Sequence, residues 1–121
     1  ATSDGGQSWT RRLDGREAAR IALAAARASG DAAQVAAAER LVADGADKPF
    51  FDVALFDAKR FVVVGAYGLA FATEDGGQRW QAWMPRLDNP KGLHLHAIRR
   101  AGDTLLIAGE QGLLLRSDDA G

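Results

Sequence analysis

The sequence predicts an all-β fold made of β-propeller blades, with about two blades' worth of four-stranded antiparallel sheets and an inserted α-helical hairpin. A short motif rich in aspartate and glycine occurs three times, and its second and third copies place Asp75 and Asp119 44 positions apart. A spacing of about 40–45 residues that carries several short strands fits one propeller blade. The first and second copies, at Asp4 and Asp75, are 71 positions apart, and the 27 extra residues have helical character.

Each copy of the motif reads hydroxyl residue, any residue, Asp, any residue, Gly, and the first two copies continue to a Trp. Aligning the second and third copies also places Gly65 on Gly109 and Gly68 on Gly112, so two independent matches support the register. The motif residues are Thr2, Asp4, Gly6 and Trp9, then Thr73, Asp75, Gly77 and Trp80, then Ser117, Asp119 and Gly121.

The motif has the chemistry of a hairpin turn. Asp75 can accept hydrogen bonds from backbone N–H groups that follow it, and Gly77 can adopt a positive φ at little steric cost. Thr73 offers a hydroxyl to the same turn, and Trp80 is near enough to fold back over it. The alternative is that Glu74 and Asp75 are catalytic carboxylates, or that Asp residues of different copies bind a metal. A residue that recurs once per blade serves the blade, so we favour a structural role and predict no catalytic residue, no metal and no cofactor here.

A helical hairpin is predicted at 15–45, as an insertion within a single propeller domain that covers 1–121. A short strand at 7–13 precedes it. Asp14 and Asp31 each stand three residues before a Glu or Gln, the spacing of a capping box. Two alanine-rich helices at 16–28 and 32–43 follow, and Gly30 suits a left-handed end to the first. The few large apolar residues of the hairpin indicate that it rests on the sheet.

The remaining segments alternate between strand-forming and turn-forming residues. The run at 61–64 is β-branched after its first Phe, which is typical of a strand buried on both faces. We expect strands at 50–56, 61–64, 69–73 and 79–84 in the first blade, and at 93–99, 104–108 and 113–117 in the second.

Two blades cannot close a ring, because propellers typically have four to eight. Their outer strands would leave backbone groups unpaired. We therefore expect that further blades complete the ring, either from the same protein or from other chains.

Overall composition excludes several classes of protein. Fifteen basic and sixteen acidic side chains are nearly balanced, which argues against a nucleic-acid binder that neutralises phosphates. No run of about 18 apolar residues is present, so we expect no membrane insertion. Cysteine is absent, which excludes disulfides and thiolate chemistry.

The motif resembles the Asp-box, or BNR repeat, Ser/Thr-x-Asp-x-Gly-x-Thr-Trp. Ser8 keeps to this pattern, and Arg79 departs from it where Ser or Thr is usual. The longer runs 64–77 and 108–121 are similar to repeats of the photosystem II stability/assembly factor-like propellers. The resemblance covers 1–13 and about 49–121 and leaves the hairpin outside it.

This resemblance implies a non-catalytic binding or assembly scaffold, periplasmic or extracellular, that docks on membrane or envelope protein partners. The alternative is part of a sialidase-like glycoside hydrolase propeller, since Asp-boxes also occur in sialidases. Such an enzyme needs an arginine cluster and a Tyr nucleophile. Tyr67 is the only Tyr, and no arginine-rich motif adjoins it, so we predict that the chain is not an enzyme.

Several smaller signals remain open. A basic patch for an acidic partner is one interpretation of Arg86, Lys91, Arg99 and Arg100, and ordinary solvated turn charges are the other. His94 and His96 would share one side of a strand, which suits a metal or simple packing. Trp83 lies outside the Asp-box, and we favour packing between blades over recognition. The hairpin is either a docking element or a solvated addition.

Overall fold

The computed structural model describes residues 1–45 and 47–121. It contains two helices and seven strands, and from the first helix onward their order is the one that the sequence predicts. These elements are α1 (Gly15–Ser29), α2 (Ala32–Asp44), β1 (Phe50–Leu55), β2 (Phe61–Gly65), β3 (Ala70–Thr73), β4 (Gln81–Ala82), β5 (Leu95–Ala101), β6 (Thr104–Gly109) and β7 (Leu114–Ser117).

The strands form two antiparallel meanders, each ordered as in the chain. Strands β1–β4 make a four-stranded sheet, called sheet A, and strands β5–β7 make a three-stranded sheet, called sheet B. In both sheets a 3₁₀ turn joins the second strand to the third, at Ala66–Gly68 and at Glu110–Gly112. Tyr67 and Gln111 hold the same left-handed position in these turns, with φ of 56° and 57°. The predicted all-β propeller-blade fold with an added helical pair is confirmed.

The main core lies between the two sheets. Val62 and Val64 of β2 point from sheet A into this core, and Ile98 and Ile107 point into it from sheet B. Trp83 is buried in the same cluster. Neighbouring blades pack face to face by burying every second residue of their strands, because successive side chains of a strand point to opposite faces of the sheet.

The opposite face of sheet A is partly covered by the helical pair. Ala18, Ala22 and Ala26 of α1 pack in one cluster with Leu69 and Phe71. Alanines let the helix approach the sheet closely, since they have no side chain beyond Cβ. The helices begin at Asp14 and Asp31, whose carboxylates accept backbone N–H groups of their first turns, and α1 ends at Gly30 with φ of 73°.

Two expected strands are wrong or too long. Residues 7–13 form no strand, and Thr10 instead exchanges backbone hydrogen bonds with Ala1. A strand requires backbone pairing over several residues, and in the described chain this segment has only the single pair of Thr10 with Ala1. The fourth strand of sheet A is only Gln81–Ala82, because Met84 begins a 3₁₀ turn that contains Pro85.

The segment 7–13 nevertheless takes a repeated position. Arg12 lies against Gly77, and a Cβ added to Gly77 would lie 2.8 Å from the Cβ of Arg12. Trp83 lies against Gly121 in the same manner, and a Cβ on Gly121 would overlap the Trp83 ring. Arg12 and Trp83 are 71 positions apart, the spacing of the first two motifs. Trp83 therefore packs between one blade and the Asp-motif of the next.

Candidate functional site

The three Asp-motif turns share one hydrogen-bond pattern. In the second copy, the Thr73 hydroxyl donates to Asp75 at 2.9 Å and accepts from the backbone N–H of Gly77 at 2.9 Å. Asp75 in turn accepts backbone N–H groups of Gln78 and Arg79, at 3.0 and 2.9 Å. The Thr73 hydroxyl and the Oδ1 atom of Asp75 are therefore both engaged in holding the turn.

The other copies repeat these bonds. Ser117 donates to Asp119 at 2.6 Å and accepts from the N–H of Gly121 at 2.8 Å. Thr2 donates to Asp4 at 2.7 Å and accepts from the N–H of Gly6 at 3.1 Å. Three copies that share the bond from the hydroxyl to Asp and the bond from the Gly N–H to the hydroxyl support a structural role, because one catalytic carboxylate would need only one copy.

The indole rings also repeat. Trp9 Nε1 donates to the carbonyl of Gly6 at 3.0 Å, and Trp80 Nε1 donates to that of Gly77 at 3.1 Å. Trp80 additionally donates to the Arg12 carbonyl at 2.9 Å and packs edge-on against Phe61. Trp9 remains 71% exposed. The indole ring caps the turn in both copies. Only Trp80, in the second copy, also contacts other parts of the protein.

Hydrogen-bond donors within the turns lower the pKa values of the motif carboxylates. The Ser8 hydroxyl and N–H together hold the pKa of Asp4 far below its usual range. The pKa of Asp75 is lowered mainly by the backbone N–H of Arg79, since Arg79 supplies no hydroxyl in place of Ser8. Both carboxylates are therefore held charged as acceptors, whereas a general acid needs a pKa raised toward neutrality.

A surface cleft of about 550 Å³ lies beside two of these turns. It borders strands β2, β3 and β4 of sheet A and the third Asp-motif. Its lining combines cations, carboxylates and aromatic rings, namely Arg60, Arg79, Arg86, Glu74, Asp75, Asp119, Trp80 and Trp83. The Arg86 guanidinium lies 5.3 Å from the Trp83 ring centre and donates to the carbonyl of Gly121 at 3.4 Å. Arg86 thus spans the two sheets at the cleft.

The four predicted partner-binding cations are not joined by any contact among the described residues. Arg99 pairs with Asp52, and Arg100 donates to the carbonyl of Gly102 while its guanidinium lies 4.8 Å from the Phe56 ring centre. Lys91 is exposed in the connection that leads to β5. Arg86, Arg99 and Arg100 therefore have local partners and also present exposed charge.

An aromatic cluster lies where the first strands of the two sheets begin. Tyr67 packs edge-on against His94 at 4.8 Å between ring centres, and Phe51 lies 5.4 Å from His96. The Lys48 ammonium lies 4.8 Å from the centre of the Tyr67 ring. The rings come from three separate segments, and they lie near the start of β1 and of β5.

The histidine pair is arranged for packing. The two ring centres are 6.3 Å apart, and the Nδ1 atom of His94 accepts the backbone N–H of Tyr67 at 2.8 Å. Nδ1 of His94 is therefore occupied as a hydrogen-bond acceptor for the backbone. Across residues 1–45 and 47–121, no group of three or more metal-ligating side chains is present.

Asp52 is the residue that sequence reasoning missed. Its carboxylate accepts the backbone N–H of Ile98 at 2.9 Å and also binds Arg99, and so ties sheet A to sheet B. The N–H of Ile98 is the main cause of its lowered pKa, with further contributions from Val53 and Arg99. The only local indication of this role is an acidic residue within a strand, and no neighbouring residue in the sequence indicates which backbone group it binds.

Neither helix is both long and apolar enough to cross a bilayer, as far as the described residues extend.

Comparison with known proteins identifies the fold. Residues 37–121 match the sequence profile of the family described as Photosynthesis system II assembly factor YCF48. Among solved structures, YCF48 bound to D1 peptide is 26% identical with a TM-score of 0.54, and the match covers 61% of this chain and 24% of that one. YCF48 from Cyanidioschyzon merolae is 25% identical with a TM-score of 0.50, covering 62% of this chain and 22% of that one.

This chain spans about a quarter of the length of those solved structures. No curated protein gives a significant match. The matched segment contains both sheets and two of the three Asp-motifs, the same parts that carry the 44-residue repeat. The chain therefore belongs to the Photosynthesis system II assembly factor YCF48 family.

Proposed function

We propose that this chain is part of a non-catalytic propeller scaffold that binds a segment of a membrane or envelope protein. The observation that carries the proposal is its membership of the YCF48 family, together with a solved relative that is bound to D1 peptide. A periplasmic or extracellular location accords with such a partner and belongs to the same proposal.

The contacts of Tyr67 favour a scaffold over the sialidase-like alternative. A Tyr nucleophile needs a carboxylate that takes its proton and an arginine cluster that holds the substrate. Tyr67 instead packs against His94 and under Lys48, and its backbone N–H anchors the turn between β2 and β3. These contacts hold a turn in place.

The proposed docking residues are the exposed cations Arg86, Lys91, Arg99 and Arg100, and their proposed ligand is an acidic segment of the partner. Arg86 adds the cleft beside Trp83 to this surface. A planar guanidinium can bind a carboxylate through two hydrogen bonds, which favours arginine at such a surface. Arg99 and Arg100 are already oriented by Asp52 and by backbone carbonyls, so less side-chain freedom is lost on binding.

The test measures binding of fluorescein-labelled D1 peptide by fluorescence anisotropy. We expect saturable binding that weakens with added salt and that falls at least about tenfold when Arg86 and Arg100 are both changed to Ala. The matched control replaces Arg20 and Arg40, two exposed cations of the helical pair, and should bind as the parent does.

Two results would count against the scaffold. One is equal loss of binding in the matched control, which would show that only overall charge matters. The other is hydrolysis of a fluorogenic sialoside by the purified protein that disappears in Tyr67→Phe, because that result would make the segment catalytic.

A further inference from the structure

The aromatic cluster of Phe51, Tyr67, His94 and His96 remains open to solvent. Its rings contact one another, with neighbouring ring centres 4.8–6.4 Å apart. Even so, Tyr67 is 57% exposed and Phe51 is 45% exposed. Single exposed apolar residues are common on protein surfaces, whereas contiguous ones mark interaction sites. The aromatic cluster is therefore a candidate binding surface.

The conformation of Tyr67 is not explained by the turn in which it lies. Its backbone is left-handed, with φ of 56°, which is uncommon for a bulky residue. Gln111 holds the same position in sheet B with φ of 57°, so the turn itself does not require an aromatic ring. Backbone strain of this kind is found most often where a protein binds a ligand or carries out chemistry.

A β-bulge brings His96 and Arg99 to one side of β5. Residues three apart on a regular strand point to opposite faces, yet Leu95 and Ile98 are both buried. The register shift between Leu95 and Ala97 accounts for this, and it leaves His96 and Arg99 both exposed. At the rise of a strand, these two side chains start about 10 Å apart.

Two of the proposed docking cations flank the aromatic cluster. On one side, a Cβ added to Gly92 would lie 3.6 Å from the Tyr67 carbonyl, so the loop that carries Lys91 lies against the turn of Tyr67. On the other side, Asp52 directly follows Phe51 on β1 and binds the Arg99 guanidinium. The aromatic cluster and the cations therefore form one continuous surface.

We propose that the aromatic cluster is the apolar part of the docking surface, and that it binds an aromatic side chain of an extended acidic partner segment. A carboxylate of the same segment then binds Arg99, about three positions away along the segment. This inference rests on the proposed function, because it names a chemical feature of the partner that the scaffold binds.

The geometry of the rings favours an aromatic side chain. Phe51 and Tyr67 already pack edge-on against His94, with interplanar angles of 88° and 87°. An incoming ring can make the same edge-on or offset contacts with the exposed parts of Phe51 and Tyr67. Such contacts are apolar and persist in salt, whereas the attraction between Arg99 and a carboxylate is screened.

The test measures binding of fluorescein-labelled peptides to the full-length protein by fluorescence anisotropy. One peptide is Gly-Ser-Phe-Ser-Ser-Glu-Ser-Gly, the second has the reverse order, and two more carry Ala in place of Phe. We expect one Phe peptide to bind at least about tenfold more tightly than its Ala counterpart, as is typical of a central aromatic contact. This ratio should persist in about 1 M salt, where charges more than about 3 Å apart are screened.

The matched variants remove rings without disturbing the turn. The double variant Phe51→Ala with Tyr67→Gln places at residue 67 the side chain that Gln111 has in the same left-handed position. It should bind the Phe and Ala peptides equally. Leu114→Ala, which removes an apolar side chain that is 64% exposed on β7, is the control and should keep the parent's preference for Phe.

The possible results separate this inference from the proposed function. Equal binding of the Phe and Ala peptides by the parent, with affinity that falls in salt, would overturn the inference and leave the acidic docking surface in place. A preference for Phe that survives in the double variant would overturn it as well. If the parent bound none of the four peptides, the docking surface and the inference would both fail.

Discussion

Thr73 shows how one hydroxyl organises a turn. It donates to Asp75, accepts the N–H of Gly77, and is buried in the second Asp-motif. Thr2 makes the same bonds in the first motif, but that turn is exposed. The two residues therefore have the same chemistry and different burial.

Thr73→Val should reduce the free energy of unfolding by about 1–3 kcal/mol, because the buried N–H of Gly77 loses its acceptor while the side-chain volume is kept. Urea denaturation followed by tryptophan fluorescence measures this change. Thr2→Val is the matched control and should change stability by less than about 0.5 kcal/mol, since water can replace the lost bonds there. Equal losses in the two variants would contradict the role assigned to burial.

The Arg79 position shows why a departure from a motif can be tolerated. Ser8 gives Asp4 a hydroxyl donor, whereas Arg79 gives Asp75 only its backbone N–H. The turn still forms because the backbone donors and the Thr73 hydroxyl remain. The side chain that replaces the hydroxyl is free to line the cleft instead.

The helical pair is held to sheet A by small residues. Ala18, Ala22 and Ala26 form the contact face of α1, and each is almost completely buried. In contrast, only Ala38 is buried on α2. Helix α2 therefore packs mainly against α1, and its other residues are partly or fully exposed. The capping aspartates Asp14 and Asp31 fix where both helices begin.

Ala22→Glu should destabilise the protein by about 2–4 kcal/mol, because it buries an unpaired carboxylate in the apolar cluster between α1 and sheet A. We expect a lower thermal midpoint by circular dichroism, with the helical signal lost before the sheet signal. Ala36→Glu places the same change on the exposed side of α2 and should leave the midpoint unchanged. A stable Ala22→Glu variant would mean that the helical pair does not rest on sheet A.

At the scale of the molecule, Asp52 joins the two sheets. The bond from the Ile98 N–H to Asp52 connects residues 46 positions apart, and the Arg99 guanidinium adds a second tie. Apolar contacts in the core between the sheets are not directional, so hydrogen bonds such as this one orient one sheet against the other.

Asp52→Ala should lower the free energy of unfolding by about 1–3 kcal/mol at pH 7, because the Ile98 N–H loses its acceptor. The pKa of Asp52 is lowered in the folded protein, so this contribution is complete above the ordinary aspartate pKa of about 3.9. It is lost as the pH falls through the lowered folded-state pKa.

Thermal melts of the parent and of Asp52→Ala, recorded between pH 7 and pH 2, measure this dependence. The difference between the two midpoints should shrink toward the acid end. Asp88→Ala, at an exposed loop carboxylate, provides the control and should show no difference that changes with pH. A constant gap between parent and Asp52→Ala would mean that the charged form of Asp52 is not what ties the sheets.

Elements with strong local signals were predictable. The helix starts at Asp14 and Asp31, the β-branched strand β2 and the turns at the Asp-motifs each follow from residues within a few positions. The expected strand at 7–13 failed for the opposite reason. A strand exists only through pairing, and within the described residues the backbone of this segment pairs at Thr10 alone, with Ala1.

The candidate binding residues were harder to place. Arg99 and Arg100 are neighbours in sequence, but one pairs with Asp52 and the other crosses to Phe56, because successive strand residues point to opposite faces. The aromatic cluster of Phe51, Tyr67 and His94 brings together segments that no local pattern links.

By itself the sequence determined the blade repeat, because the Asp-motif and its glycines encode a local turn that must recur wherever a blade recurs. It also determined the helical insertion, through capping residues and the run of alanines. Only the tertiary structure decided which faces these elements bury. The helical pair covers Phe71 of β3 and Ala82 of β4, Asp52 accepts the Ile98 N–H, and Trp83 packs against Gly121. Those contacts depend on the angle and register between whole elements, which local residue patterns do not specify.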